Sequence, residues 1–103
     1  MKLVLFSVLS LVIIDQAMAD APDEAKLKSC TILSETAANI MKGRQNGVSM
    51  AKLMAVKSGS KEYDDVLAEM VKDAYQGSAF STESYKQKAI SEFENKWFGI
   101  CVK

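Results

Sequence analysis

Two cysteines, Cys30 and Cys101, have the clearest chemistry in this sequence, because each thiol can bond to the other. In an exported chain, two cysteines far apart most simply form one structural disulfide. Closing so long a loop stabilises a fold by about 4 kcal/mol in the chain-entropy model. Free thiols or an intermolecular bridge are the alternatives. A zinc site is disfavoured, since two thiols in a sequence without histidine leave a tetrahedral site incomplete.

The absence of histidine from the sequence also removes the Ser-His-Asp and Cys-His catalytic schemes. The carboxylates occur as near neighbours, Asp64 beside Asp65 and Glu92 close to Glu94. Such spacing is typical of solvated helix faces and not of a paired acid and base in a pocket. The sequence contains neither a glycine-rich phosphate loop nor the ligand spacing of a calcium loop. We therefore expect no enzyme activity, no cofactor and no bound metal.

Six side chains are candidates for contact with a partner, and two of them are methionines of one short helix. Methionine adapts its shape and is common at promiscuous binding surfaces. Met50 and Met54 are therefore predicted to line a groove that receives a partner's helix or an apolar ligand. The simpler interpretation is that both methionines fill the core.

The other four candidates lie at the ends of two predicted helices. Arg44 is the only arginine in the sequence, and Gln45 follows it. The arginine either complements the negative end of a helix or forms a fork that bonds carbonyls or a carboxylate. Trp97 and Phe98 are adjacent and would point about 100° apart on a helix. We therefore do not expect both rings to be fully buried, and one of them is a candidate contact.

The first residues have the pattern of a secretory signal peptide. A positive start precedes an apolar run at residues 3–14, which is too short to span a bilayer. Ala17 and Ala19 are the small residues of a cleavage site, so we place the cut after Ala19. Residues 1–19 are thus predicted to be removed during export to a bacterial periplasm. The alternative is that they stay attached as an N-terminal anchor.

Residues 20–103 are long enough for a single domain, and their composition restricts its partners. The sequence has 13 basic and 13 acidic residues and no net charge. Nucleic acid and anionic membranes attract positively charged proteins, so neither is expected as a partner. A domain of this size buries a modest share of its surface and commonly needs a disulfide or another staple.

Apolar residues recur at helical spacing through most of this domain, whereas alternating strand patterns are poor. The clearest stripe on the first helix comprises Leu27, Cys30, Leu33, Ala37, Ile40 and Met41. Helices are predicted at residues 23–45, 50–58, 63–76 and 82–98. Asn46-Gly47, Gly59 and Gly77 are expected to stop helices, and Ser49 to cap the second helix. Glu92 and Lys96 are expected to pair across one turn.

These elements predict an all-α fold, a small bundle of about four helices. Since Cys30 lies near the start of the first helix and Cys101 lies after the last, the expected disulfide joins the first helix to the C-terminus. Gly43, inside the first helix, is expected to allow a neighbour to approach closely.

Several short motifs of the chain resemble a class of small secreted, disulfide-containing helical proteins. That class is found in proteobacteria and their prophages, and it has no settled activity. The motifs are Cys30, Ala37-Ala38-Asn39-Ile40-Met41, Arg44-Gln45-Asn46-Gly47-Val48, Ala74-Tyr75, Ser81-Thr82-Glu83, Lys88-Ala89-Ile90, Phe93 and Cys101. The class often has a proline after the Ala-Tyr pair, where this chain has Gln76-Gly77. The resemblance implies the architecture and the exported setting alone.

Together these features predict a small periplasmic or secreted interaction module that binds an envelope protein. An inhibitor or exclusion factor of phage origin would have this form. The alternative is a periplasmic stress chaperone or a carrier of a small apolar ligand. Neither hypothesis involves nucleic acid, nor stable membrane insertion after the signal peptide has been cleaved.

Overall fold

The computed structural model describes residues 23–103, so the predicted signal peptide and its cleavage site lie outside the described residues. Four helices follow one another, and no strand occurs in this range. They are α1 (Glu24–Gln45), α2 (Met50–Met54), α3 (Lys61–Gln76) and α4 (Glu83–Val102). The prediction of an all-α fold with four helices is confirmed.

Polar caps and glycines set most of the helix ends, as expected for orphan backbone groups at helix termini. The Asp23 carboxylate accepts the Lys26 amide at 2.7 Å at the start of α1. Gly47, just past the end of α1, has φ of 84°, which favours glycine over other residues. The Ser49 hydroxyl accepts the Lys52 amide at 3.2 Å, which confirms the predicted cap of α2.

The second helix is shorter than predicted, because it ends at Met54 and the sequence pattern placed its end at residue 58. The Ser58 amide and hydroxyl both donate to the Asp64 carboxylate, at 2.7 and 2.8 Å. These bonds draw residues 58–60 into a turn before α3, where helical bonding cannot continue. The prediction for residues 55–58 was therefore wrong. Asp64 is also not simply a solvated carboxylate, as its sequence context suggested.

The Ser58 contacts change the acidity of Asp64. The backbone amide of Ser58 and then its hydroxyl stabilise the ionised carboxylate and hold the pKa of Asp64 below its ordinary value, with a smaller effect from the positive charge of Lys57. Ionised Asp64 thus ties the turn at residues 58–60 to the first turn of α3.

The other boundaries differ less from the predictions. Helix α3 begins at Lys61 because Ser60 caps it. The Ser60 hydroxyl accepts the Tyr63 amide. Helix α4 begins after Thr82 and continues through Gly99 to Val102, beyond its predicted end at residue 98. One glycine inside a helix costs only about 1 kcal/mol relative to alanine. Cys101 therefore lies in the last turn of α4 and not beyond it.

Helices α1 and α4 run antiparallel along most of their length. At one end the predicted disulfide is confirmed, with the Cα atoms of Cys30 and Cys101 5.5 Å apart. Helix α3 runs parallel to α1, since the hydroxyls of Thr36 and Tyr63 lie 3.4 Å apart near one end and Arg44 reaches Gly77 near the other. Residues 46–60, which contain α2, cross from the end of α1 to the start of α3 and are called the crossover segment.

The buried core lies where α1, α3 and α4 meet. Full burial of a large aliphatic side chain contributes about 1.5–3 kcal/mol each, so this cluster supplies most of the apolar stabilisation. Beside it, Gly43 lets the crossover segment approach α1, as predicted: a Cβ atom there would stand 3.3 Å from the Leu53 side chain. The core residues are Ala37, Ile40, Met41, Met70, Val71, Ala74 and Phe93.

Part of the predicted α1 stripe does not reach this core. Leu27, near the start of the helix, is exposed, and Leu33 is half-buried at the edge of the core. Of the helices that the structure describes, α4 alone covers this part of α1, because α3 packs against the other half. Among residues 23–103, no helix combines the length and apolar character needed to cross a bilayer.

Candidate partner-binding groove

A loop at residues 77–82 joins α3 to α4 and is fixed by side chains from the end of α1. The Arg44 guanidinium donates from Nε and Nη2 to the carbonyl of Gly77, at 3.3 and 3.0 Å. The same guanidinium lies 4.9 Å from the centre of the Tyr75 ring, within cation–π range. The Tyr75 hydroxyl in turn donates to the carbonyl of Val48. Of the two interpretations of Arg44, the fork that bonds a carbonyl describes these contacts.

Gln45 holds the next part of the same loop. Its amide nitrogen donates to the carbonyl of Ser78 at 2.8 Å and to the Met41 sulfur at 3.4 Å. Its amide oxygen accepts the backbone amide of Phe80 at 2.8 Å. The residue is 4% exposed, so its amide groups are used inside the molecule. A buried amide with partners on both its oxygen and its nitrogen fixes the loop backbone in one conformation.

The fixed loop forms one end of a groove between α3 and α4. This binding groove has a volume of about 380 Å³. Met41, Ala89 and Phe93 form its apolar floor. Phe80 stands at the loop end with 40% of its surface exposed, and Lys96 stands toward the opposite end.

The groove continues beyond Phe80 into an adjoining hollow of about 240 Å³. Phe80, Ala89 and Glu92 line both spaces, and the hollow adds Tyr85 and Lys88. The rings of Phe80 and Tyr85 lie with centres 5.8 Å apart and planes tilted by 33°. Tyr85 is 57% exposed, so the two rings form an aromatic pair open to solvent.

A shared carboxylate closes the opposite end of the groove. The Lys96 amine lies 2.9 and 2.8 Å from the two carboxylate oxygens of Asp73, and the Trp97 indole donates to the same carboxylate at 3.1 Å. Because Asp73 is on α3 and its two partners are on α4, these bonds join the helices. The predicted Glu92–Lys96 pair is not formed, since Lys96 is engaged across the groove.

Glu92 instead lies 3.9 Å from the Lys88 amine, with both side chains about two-thirds exposed, at 68% and 67%. Such an exposed pair adds less than about 1 kcal/mol to stability. Both charges therefore remain accessible at the rim of the groove.

The six predicted contact residues do not form one surface. Buried Gln45 and half-buried Arg44 both hold the loop, whereas Trp97 is half-buried beside Asp73 at the closed end of the groove. Met50 is 38% exposed and Met54 packs against the core, both on α2, and neither lines the groove. The sixth, Phe98, is half-buried on α4.

Sequence reasoning missed the two exposed aromatic residues of the groove. Neither Phe80 nor Tyr85 was among the six side chains predicted to contact a partner. A signal was nevertheless present, because Phe80 follows Gly77 and Ser78 and precedes a helix cap, outside any apolar stripe. Phe93, by contrast, lies within the last predicted helix and is buried in the core.

The groove offers binding chemistry: aromatic faces, an apolar floor and accessible charges of both signs. Within residues 23–103, no three side chains of the metal-ligating types converge on a point where an ion would sit. Comparisons with protein-family models, with curated proteins and with solved structures find no match for this chain. The geometry of the groove and its surroundings is therefore the basis for assigning a function.

Proposed function

We propose that this protein is a small exported interaction module that binds a protein of the bacterial envelope through the binding groove. The observation that carries the proposal is Phe80, an aromatic side chain left exposed on a loop whose backbone is fixed by Arg44 and Gln45. Rigid, exposed aromatic side chains are the commonest anchors of protein interfaces, because they bury a large area with little loss of entropy.

The chemistry of the groove suggests the kind of segment that it binds. Its apolar floor and the Phe80–Tyr85 pair favour one or two apolar side chains of the partner. Lys88 and Glu92 at the rim provide charges of both signs, which add orientation and specificity more than affinity. Its volume of about 380 Å³ lies near the lower end of the roughly 300–1,000 Å³ that is typical of single binding pockets. We therefore propose that it receives a short segment of the partner, bound reversibly.

The exported setting rests on the predicted signal peptide together with the Cys30–Cys101 disulfide. Disulfides form and persist in oxidising compartments such as the periplasm. A partner in the envelope is the simplest match to that setting. The resemblance to prophage-associated proteins adds a specific form of the proposal, in which binding inhibits or excludes that partner.

Site-specific photo-crosslinking from the groove tests this function. A photoreactive residue replaces Tyr85 in the exported chain, and adducts are recovered from intact bacteria. We expect one dominant envelope protein, whose yield falls at least about tenfold when Phe80→Ala is added, because hot-spot truncations cost about 2 kcal/mol or more. Ile32→Ala is the matched control, since Ile32 is also exposed but lies on α1 and lines neither the groove nor the adjoining hollow.

Two results would contradict the proposal. One is the lack of any reproducible adduct, and the other is an equal fall in yield with Phe80→Ala and Ile32→Ala. Crosslinks to many unrelated proteins would instead favour a stress chaperone. A chaperone of that kind should expose apolar surface and bind a fluorescent dye at about pH 3.

A further inference from the structure

A separate cleft lies under the crossover segment, between α1 and α3. This apolar cleft has a volume of about 210 Å³ and shares no lining residue with the binding groove. Five of its seven lining residues are aliphatic and none is charged. The aliphatic residues are Ile40, Leu53, Val56, Leu67 and Val71.

The floor of the cleft belongs to the packed core, whereas its roof does not. Ile40 and Val71, on facing helices, are buried members of the core cluster. Leu53 and Val56 belong to the crossover segment, and Val56 is 61% exposed. The cleft therefore reaches core side chains and is open to solvent. An exposed valine lies at its mouth.

The roof is attached mainly at its two ends. At one end the carbonyl of Val48 accepts the Tyr75 hydroxyl, and at the other end Ser58 is bonded to Asp64. Between these attachments, backbone bonds of the segment close only its own short helical turns. Leu53 contacts α1 near Gly43. Entry of a molecule beneath the segment thus breaks apolar contacts and leaves both anchoring points in place.

The polar groups of the lining give little reason for a charged or strongly polar ligand. The Thr36 hydroxyl already donates to the carbonyl of Ile32 at 3.1 Å, and Asn39 is exposed. A charged ligand would lose its hydration in the cleft without a compensating ion. The uncharged aliphatic lining therefore matches an uncharged hydrocarbon ligand.

We propose that the apolar cleft binds a free, uncharged hydrocarbon molecule of about the size of a single aromatic ring. The binding groove and its adjoining hollow are both lined in part by charged side chains, whereas the cleft has none. Apolar cavities of about 150 Å³ bind benzene-sized molecules. The cleft exceeds that volume. A helix or a whole lipid chain is larger than this volume and would fit only in part.

This site goes beyond the proposed function, because it occupies another part of the molecule and takes another class of ligand. Loss of binding in the cleft leaves the Phe80 loop and its crosslinks unchanged. The two proposals therefore fail or succeed separately.

Toluene is the probe for the test, and the purified disulfide-bonded chain of residues 20–103 is the protein. Toluene should raise the midpoint of thermal unfolding in a saturable way, because a ligand that binds only the folded state stabilises it. It should also shift the methyl resonances of Ile40 and Val71. Benzoate, which has a similar ring and a negative charge, should do neither at the same concentrations.

Two variants test the site itself. Val56→Glu places a charge at the mouth without disturbing the core and should weaken toluene binding at least about tenfold. Val66→Glu is the matched control, since Val66 is 37% exposed and does not line the cleft. It should change the affinity by less than about twofold.

A third variant keeps the test independent of added charge. Leu67→Phe fills part of the cleft from a half-buried position and should also weaken toluene binding. The proposal is overturned by the absence of saturable toluene binding, by equal binding of benzoate, or by equal effects of Val56→Glu and Val66→Glu. Binding to phospholipid vesicles in place of toluene would likewise overturn the assignment to a free ligand.

Discussion

The two ends of the α1–α4 pair are held together in different ways. At the core end, α3 joins the pair and the three helices bury a cluster that includes Met70, Val71 and Phe93. At the disulfide end, defined as residues 24–32 of α1 and 98–102 of α4, no third helix from the described residues 23–103 is present. Cys30 is the only buried residue there.

The difference shows how so short a chain distributes its apolar side chains. One three-helix core uses most of them, and a two-helix remainder cannot cover its own apolar faces. Leu27, Ile32 and Ile100 are accordingly exposed at the disulfide end. A covalent bond is the form of stabilisation that does not depend on burial, because it acts by restricting the unfolded chain. Substitutions at each end can separate these two contributions.

Removal of the disulfide should have the largest effect. The bond joins residues 71 positions apart, and its loss should lower the free energy of unfolding by about 4 kcal/mol. The double variant Cys30→Ala, Cys101→Ala can be measured by urea unfolding, with hydrogen exchange to locate the change. We expect amides of the disulfide end to lose protection first, while those of α3 retain it. A uniform loss of protection along all helices would contradict the division into two ends.

The matched change at the core end is Met70→Ala. Met70 is fully buried, and its truncation should cost about 2–5 kcal/mol. In contrast to loss of the disulfide, this change should reduce protection in all three long helices, because each contributes to the cluster. Measuring both variants shows whether comparable losses of unfolding free energy reduce hydrogen-exchange protection in different helices.

A somewhat smaller effect is expected for Gln45→Ala, which tests whether the core end depends on polar contacts as well as burial. The variant leaves the carbonyl of Ser78 and the amide of Phe80 without their side-chain partner. Unfolding free energy should fall by about 2 kcal/mol. Groove crosslinks from the Tyr85 position should weaken as well, since the loop backbone is no longer fixed.

Gln87→Ala serves as the control for that change. Gln87 is exposed on α4 and bonds only to Glu83 among the described side chains. Its loss should alter stability by less than about 0.5 kcal/mol. If Gln45→Ala behaved like Gln87→Ala, the loop would not depend on the buried amide.

The smallest effect concerns pH and the turn before α3. The Ser58 bonds lower the pKa of Asp64, so the folded state favours the ionised carboxylate. Their contribution is therefore complete above the ordinary carboxyl pKa and is lost as the pH falls through the lower, folded value. Urea midpoints between about pH 5 and pH 2 should fall less steeply in Asp64→Asn than in the unmodified chain.

Asp65→Asn provides the comparison for this titration. Asp65 pairs at 3.0 Å with Lys61 on the surface of α3, where both side chains are largely exposed. Its replacement should leave the acid dependence of stability close to that of the unmodified chain. Identical profiles for Asp64→Asn and the unmodified chain would show that the Ser58 bonds do not contribute.

Local sequence signals predicted much of the fold. The three- and four-residue spacing of apolar side chains identified α1, α3 and α4. Glycine and serine signals located the end of α1 near Gly47 and the start of α2 after Ser49. The disulfide followed from the two cysteines and the predicted export. These features depend on periodicity or on residue type, which a single sequence displays directly.

Most of the candidate site could not be predicted from the sequence, because it depends on contacts between residues that are far apart in the chain. Gln45 has no feature in the sequence that indicates burial, and its partners in the loop, Ser78 and Phe80, lie more than thirty positions later. Lys96 has an acidic residue one turn away, yet it bonds to Asp73 on another helix. The parallel course of α1 and α3 also depends on where the crossover segment runs. Neither periodicity nor residue spacing specifies such pairings.

The way in which the loop before α4 is fixed determines which of its positions can vary in sequence. The bonds that Arg44 and Gln45 make to the loop all go to backbone atoms, those of Gly77, Ser78 and Phe80. The shape of the loop is therefore independent of which side chain occupies position 80. Position 80 can therefore vary by single substitutions without a new scaffold. This separation of the displayed side chain from the fold suits laboratory selection of binders.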